Sequence, residues 1–465
     1  MDFLIVLGAL AFLMFVAYRG YSVILFAPIA ALGAVLLVNP DMVAPMFTGL
    51  FMEKMVGFIK NYFPVFLLGA VFGKVIELSG FSKSIVAAVI NLIGRERAML
   101  AIVIVCAILT YGGVSLFVVV FAVYPFAAEM FRQSNIPKRL IPGTIALGAF
   151  TFTMDSLPGT PQIQNIIPTT FFKTDIYAAP MLGIIGSIFI FTTGMLYLEW
   201  MRKRAAKAGE GYGTNLLNEP APFVDEKLPN AWIALLPLLV VGVMNKVFTM
   251  TIPSFYGKEV AFQSAVVGKS TEIVVQIDPV KAIWAVEGAL LLGILVVFIF
   301  AGRTVIKNFA EGSKAAIGGA LLATMNTASE YGFGAVIAAL AGFKVIAEGL
   351  AAIPDPLINE AITVTALAGI TGSASGGMGI ALAAMADTFI ANAQAAGIPL
   401  EVFHRVASMA SGGMDTLPHN GAVITLLAVT GLTHRQAYKD IFAITCIKTL
   451  AVFVVIAVFY TTGLV

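Results

Sequence analysis

Met154-Asp155-Ser156-Leu157-Pro158 and Met414-Asp415-Thr416-Leu417-Pro418 are two nearly identical pentapeptides that interrupt apolar stretches in the two halves of the chain. Proline inside a membrane helix removes a backbone N–H donor and leaves carbonyl oxygens without their helical partners. Each pentapeptide therefore predicts a broken membrane helix, the first over residues 137–171 and the second over residues 400–430.

The composition supports a membrane location. Of the 465 residues, 59% are hydrophobic and 12% are charged, whereas soluble domains have about 25% charged residues. Apolar runs close to the roughly 20 residues that cross a bilayer recur along the chain. The net charge of +2 gives no indication of nucleic-acid binding, and Cys106 and Cys446 lie in apolar runs that suggest no disulfide or zinc site. We expect an all-α polytopic membrane protein.

Two further apolar stretches are interrupted by short glycine-rich segments. Residues 98–132 contain Thr110–Ser115 at their centre, and residues 357–396 contain Thr371–Gly377. We predict that both are re-entrant helical hairpins, which enter the membrane and return to the same side. With about ten crossings besides the hairpins and an external N-terminus, most basic residues fall in cytoplasmic segments, as the positive-inside rule requires.

The pentapeptides are part of an internal repeat. Other short matches follow in the same order, among them Gly112-Gly113 with Gly376-Gly377 and Ile136-Pro137 with Ile398-Pro399. Each half crosses the membrane an odd number of times, so we predict two inverted repeats, which are typical of transporters. The predicted divisions are a first repeat over 1–199, a cytoplasmic linker over 200–229 and a second repeat over 230–465. Separate spans are expected over 280–301 and 316–341, and an external loop over 248–279.

Asp155 and Asp415 are the first candidates for function. A broken helix directs unpaired N–H groups and a positive dipole end towards the membrane centre, and an ionisable group at that depth is costly enough to suggest a role. The alternative is that each aspartate only caps the following half-helix. Proton coupling is assigned to Asp155, Asp415, Glu330 and His419.

Alternatives remain for the last two of these residues. Glu330 interrupts the span over 316–341 and is either a coupling residue or a structural partner of a nearby donor. His419 is either a proton carrier or a histidine with an ordinary hydrogen bond. His404 and His434 are predicted at the membrane interface, whereas Arg405 and Lys448 fall within or at the edge of apolar elements.

Neutral hydrogen-bonding groups surround the breaks and the hairpin tips, and they suit a carboxylate that also carries hydroxyl groups. Glycines at the tips let backbone amides approach a ligand closely, although they could serve only tight turning or helix packing. The candidate substrate-binding residues are Thr110, Gly112, Gly113, Ser115, Ser156, Gly159, Thr160, Gln162, Thr371, Ser373, Ser375, Gly376, Thr416 and Asn420. Gln162 and Asn420 are expected to bind the hydroxyl group of the substrate.

Three segments resemble the gluconate permease (GntP) family of the ion-transporter superfamily: residues 111–117, 152–162 and 411–420. Residues 15–20 and the Met-Asp-Ser-Leu-Pro form are similar to the 3-hydroxybutyrate permease subgroup. The resemblance implies proton-coupled uptake of a sugar acid or hydroxy acid through the inner membrane of a bacterium, by a homodimer with a mobile transport domain. Related dicarboxylate carriers hold sodium with Ser-Asn-Thr at the hairpin tips, and the different tips of this chain favour protons.

We therefore expect a proton-coupled symporter of a small hydroxy-monocarboxylate, with no cofactor and no bound metal. Protonation of a break aspartate and binding of an anion would favour each other, which is the coupling that symport requires. A sodium-coupled carboxylate symporter and a passive organic-anion facilitator are the alternatives. A membrane-embedded enzyme would need a nucleophile–base pair or a metal cluster, and the sequence offers only isolated candidates.

Overall fold

The computed structural model describes residues 2–19, 21–94, 97–214, 216–220, 228–266, 269–343, 345, 349, 353–418 and 420–465. The first half contains α1 (Asp2–Tyr18), α2 (Val23–Val38), a 3-10 turn (Pro40–Met42), α3 (Val43–Met46), a π-helical segment (Phe47–Met52), α4 (Glu53–Leu78), α5 (Phe81–Ile93), α6 (Ala98–Tyr111), α7 (Leu116–Gln133), α8 (Leu140–Ala149), α9 (Phe152–Asp155), α10 (Ile163–Phe172) and α11 (Pro180–Lys207). The second half contains α12 (Ala231–Tyr256), β1 (Glu259–Val266), β2 (Lys269–Gln276), α13 (Lys281–Ala339), α14 (Pro356–Thr371), α15 (Ala374–Ala396), α16 (Leu400–Ser411), α17 (Gly421–Thr430) and α18 (His434–Thr462).

Long apolar helices confirm the prediction of an all-α polytopic membrane protein. Within the described residues, six helical stretches are long and apolar enough to span a bilayer. They are Pro40–Leu78, Pro180–Lys207, Ala231–Tyr256, Lys281–Ala339, Ala374–Ala396 and His434–Thr462. Large apolar side chains such as Leu37, Trp232 and Phe255 lie 71%, 79% and 80% exposed, which suits a surface that faces lipid tails.

The two spans predicted over 280–301 and 316–341 are joined in one helix, which corrects the expected loop between them. Helix α13 has 59 residues and a kink at Ala301, where φ is −132°. The connecting residues are polar but helix-compatible, and Lys314 forms an i,i+3 ion pair with Glu311 at 2.9 Å. A straight helix of this length would measure about 88 Å, well beyond the roughly 30 Å of a bilayer core. The kink therefore divides α13 into two segments.

A small β-hairpin replaces part of the external loop predicted over 248–279. Helix α12 continues to Tyr256, and β1 then pairs with β2 in antiparallel register, with Phe262 opposite Ile273. Both strands contain β-branched or aromatic residues, among them Val260 and Phe262 in β1 and Ile273 and Val274 in β2, and such residues favour strands. A second unpredicted element is α5, an amphipathic helix that buries Phe81 and Ile85.

Helices α6 and α7 cover the stretch 98–132 predicted as the first hairpin, and α14 and α15 cover the stretch 357–396 predicted as the second. Helix α6 has 14 residues and α14 has 16, so they measure about 21 and 24 Å and are short for a full crossing, whereas α15 has 23 residues and is long enough to span a bilayer. The stretches predicted as broken helices consist of pieces of ten to twelve residues, α8 with α10 and α16 with α17. Each piece is about half as long as a bilayer core is thick, which suits a break near the membrane centre.

The polar linker is anchored to the helices by ion pairs. Glu219 lies 2.7 Å from Lys138 and 2.6 Å from Arg132, and Glu210 lies 2.7 Å from Arg139. Burial raises the pKa of Glu219, but hydrogen bonds from Lys138, Arg132 and Tyr212 outweigh it and hold the pKa below its ordinary value of 4.5. Because Lys138 is almost fully buried, this cluster carries much of the attachment of the linker.

Replacing Glu219 with glutamine is expected to lower the free energy of unfolding by about 1–2 kcal/mol, because buried Lys138 loses its counter-charge. A lowered carboxylate pKa gives stability that is present above the unfolded pKa and is lost as pH falls through the folded pKa. The Tm of purified wild-type protein should therefore fall below about pH 4.5. Glu219→Gln should remove part of this dependence of the Tm on pH. Glu311→Gln, in an exposed pair with Lys314, is the control and should leave the Tm unchanged. An unchanged Tm in Glu219→Gln would contradict this role.

Candidate functional site

Asp155 is buried and Asp415 is largely buried, with 13% of its side chain exposed, and neither is the N-cap of the following half-helix. Asp155 is 2% exposed and ends α9, whereas Gln162 is the N-cap of α10. In the second break, Asn420 is the N-cap of α17, and its Oδ1 accepts a hydrogen bond from the Val423 backbone N–H at 2.9 Å. The capping alternative is therefore wrong for both aspartates.

The two breaks contact each other. A Cβ atom at Gly412, just after α16, would overlap Oδ2 of Asp155. Ser408 in α16 donates a hydrogen bond to the Asp155 carbonyl oxygen at 2.7 Å, and Ser156 donates to Asp155 Oδ1 at 2.6 Å. The carboxylate of the first break thus packs directly against the backbone of the second.

Asp415 in the second break pairs with a lysine of the last helix. Lys448 lies at the midpoint of α18 and is 2% exposed. Its Nζ donates to Asp415 Oδ1 at 2.5 Å and to the Phe150 carbonyl oxygen at 3.2 Å. Phe150 follows α8, so Lys448 connects the backbone of the first break with the carboxylate of the second.

Arg405 is fully buried in α16 and binds the backbone that surrounds the first break. Its guanidinium donates to the Asp155 carbonyl oxygen at 3.1 Å and to the Ala178 carbonyl oxygen at 2.7 Å. It also donates to Asn165 Oδ1 at 3.0 Å. The neighbouring His404 is fully buried and contacts Thr174 Oγ1 at 2.6 Å, so it lies inside the protein beside Arg405.

One side-chain amide connects each hairpin tip to the break of its own half. Gln162 Nε2 donates to the Thr110 carbonyl oxygen at 2.7 Å, and Asn420 Nδ2 donates to the Gly372 carbonyl oxygen at 2.8 Å. These amide nitrogens therefore serve as ties between the tip and the break. In contrast, Thr110 Oγ1 is buried without a hydrogen-bond partner among the described residues, which leaves a donor at the first tip.

Glu330 lies at the second hairpin tip. Its side chain is 3% exposed, and a Cβ atom at Gly376 would overlap its Oε2 atom. One turn earlier in α13, Thr327 Oγ1 lies 3.2 Å from Ser375 Oγ. The tip begins α15, whose N-cap Ser373 accepts a hydrogen bond from the Gly376 N–H at 3.1 Å. Glu330 therefore faces the positive dipole end of a hairpin helix.

The remaining candidates form hydrogen bonds within the protein or lie in turns and at helix ends. Thr160 Oγ1 donates to the Thr153 carbonyl oxygen, Thr416 Oγ1 pairs with Thr445 Oγ1, and Thr371 Oγ1 donates to the Leu367 carbonyl oxygen. Gly113 and Gly159 have φ angles of 92° and 82°, which favour glycine. Gly112 packs against Leu238, Ser115 is the N-cap position of α7, and His419 lies outside the described residues.

Sequence reasoning missed Arg405 and Lys448 as members of the site. The available signal was their position within predicted apolar elements, because a cation in a membrane span is as costly as a carboxylate and usually pairs with one. Applying that rule to both signs of charge would have identified Lys448 as the partner of an intramembrane aspartate.

Apolar helices on the outside, buried charges within and two adjacent helix breaks define a polytopic membrane transporter. No family model matches the chain. It is 60% identical over 477 aligned residues, covering all of both chains, to YxjC, an uncharacterized transporter of Bacillus subtilis strain 168. The chain belongs to the transporter family that includes YxjC.

A partial sequence match and a structural likeness were also found. An uncharacterized transporter of Haemophilus influenzae is 30% identical over 141 residues, which are 30% of this chain and 32% of that protein. The crystal structure of the YdaH transporter of Alcanivorax borkumensis, described as having an unusual topology, matches 92% of this chain and 90% of its own. With a TM-score of 0.53 and 15% identity, that likeness concerns the fold alone.

Gly376→Ala is expected to reduce transport by at least about tenfold, because its methyl group would displace the Glu330 carboxylate and open the second tip. A tenfold loss corresponds to only about 1.4 kcal/mol. Gly318→Ala is the matched control, since a Cβ atom there would meet no atom within 4 Å. The test compares the initial rates at which vesicles with equal amounts of each variant take up labelled substrate. Equal uptake rates for Gly376→Ala and Gly318→Ala would contradict a functional role of the tip.

Proposed function

We propose that the protein is a secondary active transporter that carries a small hydroxy-monocarboxylate together with protons. The substrates we expect are 3-hydroxybutyrate or gluconate-like sugar acids, as the gluconate permease resemblance suggests. The bacterial inner membrane is the proposed location and a homodimer the proposed assembly. The observation that carries the proposal is the cluster of buried charges where the two helix breaks meet.

The charges of this cluster balance when both aspartates are ionised. Asp155 and Asp415 contribute two negative charges, while Arg405 and Lys448 contribute two positive charges. A bound monocarboxylate would add one negative charge in a medium where unbalanced charge is costly. One proton on a carboxylate would restore the balance, so proton and anion would each raise the affinity for the other.

Asp155 is the better proton carrier of the two aspartates. Asp415 forms an ion pair with Lys448 at 2.5 Å, and protonation would remove the counter-charge of a buried lysine. Asp155 accepts a hydrogen bond from Ser156, and its other carboxylate oxygen packs against Gly412. A proton on Asp155 therefore disturbs fewer ionic contacts.

The substrate carboxylate is proposed to bind between the tips and the breaks. Thr110 offers a buried hydroxyl without a described partner, and the glycines beside it allow close approach of backbone amides. Gln162 and Asn420 tie the tips to the breaks, so we propose that they transmit substrate binding from one to the other. The two predicted repeats, 1–199 and 230–465, would then place one hairpin and one broken helix each in a common transport unit.

Uptake into proteoliposomes tests the proposal directly. Labelled 3-hydroxybutyrate and gluconate are supplied under an imposed proton gradient, an imposed sodium gradient or neither. We expect one of the two acids to accumulate above its external concentration under the proton gradient alone. Accumulation that requires sodium would contradict proton coupling, and equilibration without accumulation would indicate a facilitator.

Asp155→Asn provides the matched variant for the same assay. Without an ionisable carboxylate, we expect proton-driven accumulation to be lost and substrate exchange between labelled and unlabelled pools to continue. Asp278→Asn is the control, because Asp278 is an exposed residue in the turn between β2 and α13 and should retain full accumulation. Unchanged proton-driven uptake and pH dependence in Asp155→Asn would rule out Asp155 as the carrier.

A further inference from the structure

The carbonyl oxygens released by the first break bind cationic side chains of the protein itself. Lys448 Nζ binds the Phe150 carbonyl oxygen at 3.2 Å, and Arg405 binds the Asp155 carbonyl oxygen at 3.1 Å. In transporters with broken helices, unwound carbonyl oxygens of this kind coordinate the coupling sodium ion. Here a fixed ammonium and a fixed guanidinium occupy that electrostatic position.

Lys448 binds two oxygen atoms of the kinds that coordinate a monovalent metal ion. Its ammonium contacts one carboxylate oxygen, from Asp415, and one backbone carbonyl oxygen, from Phe150. Hard cations prefer these oxygen ligands. The two groups come from different halves of the chain, so whatever cation they share also joins the two breaks.

We propose that Lys448 is a built-in substitute for a coupling sodium ion and makes this transporter independent of sodium. The inference rests on the proposed function, since it explains how a carrier of this architecture binds an anion without taking up a metal ion. Arg405 adds a second fixed positive charge at the Asp155 carbonyl oxygen. The fixed charges leave the proton as the mobile cation of the cycle.

Removing the ammonium should expose a site for sodium. In Lys448→Gln, Asp415 becomes an unpaired buried carboxylate beside a free carbonyl oxygen, and Na⁺ can replace the lost charge. A cation that binds only the folded protein raises its Tm. The experiment therefore measures the Tm of purified full-length protein in NaCl and in choline chloride of equal ionic strength, without substrate.

We expect the wild type to have the same Tm in both salts. Lys448→Gln should unfold at a lower temperature in choline chloride and recover by about 3 °C or more in NaCl. Lys439→Gln removes an exposed lysine nine residues earlier in the same helix. This variant should have the Tm of the wild type in both salts. The double variant Asp415→Asn with Lys448→Gln should lose the response to sodium, because the carboxylate ligand is absent.

Sodium stabilisation of the wild type would overturn the proposal, as would equal Tm values of Lys448→Gln in the two salts. If Lys448→Gln does not fold, the wild type and the double variant still decide, and a sodium response in either contradicts the proposal. Because the assay contains no carboxylate substrate, its failure is distinguishable from failure of the proposed transport activity. If the protein transports other substrates than the two acids proposed, these Tm differences would still be observed.

Discussion

A helix that breaks inside a membrane must find new partners for its backbone, and the structure depends on how this requirement is met. Each unsatisfied polar group in hydrocarbon costs several kcal/mol. Around the first break, Arg405 and Lys448 bind the released carbonyl oxygens of Asp155 and Phe150. The cations in turn require carboxylates nearby, which Asp155 and Asp415 supply. Structural necessity thus concentrates ionisable groups in the same place where a transporter needs them.

The same contacts determine which parts of the chain act together. The Gln162 and Asn420 amides tie each hairpin tip to its break, and Lys448 joins one break to the other. We propose that a shift at one tip reaches both breaks through these short side-chain contacts. The linker adds a further connection, because Asn218 Nδ2 donates to the Ala428 carbonyl oxygen at the end of α17.

The sequence was sufficient for the elements that depend on local chemistry. Pro158 and Pro418 indicated the helix breaks, and the glycine-rich tips indicated the turns of the hairpins. Contacts between distant segments could not be read from one sequence, since nothing local relates Lys448 to Asp415 or Gly412 to Asp155. The helical continuation of α13 past Ala301 was also missed, because residues 302–315 are polar enough to suggest a loop. Gln162 and Asn420 were predicted to bind the substrate. Their hydrogen bonds to the hairpin tips could not be predicted, because the sequence does not show which partner a side-chain amide has.

We propose that a single proton balances the charge of each transported carboxylate at the meeting point of the breaks. Labelled substrate and internal pH can be measured together in proteoliposomes whose membrane potential is fixed with potassium and valinomycin. We expect one proton to enter with each carboxylate and the extent of accumulation not to change with membrane potential. Carboxylate entry without a proton, or accumulation that follows the membrane potential, would contradict it.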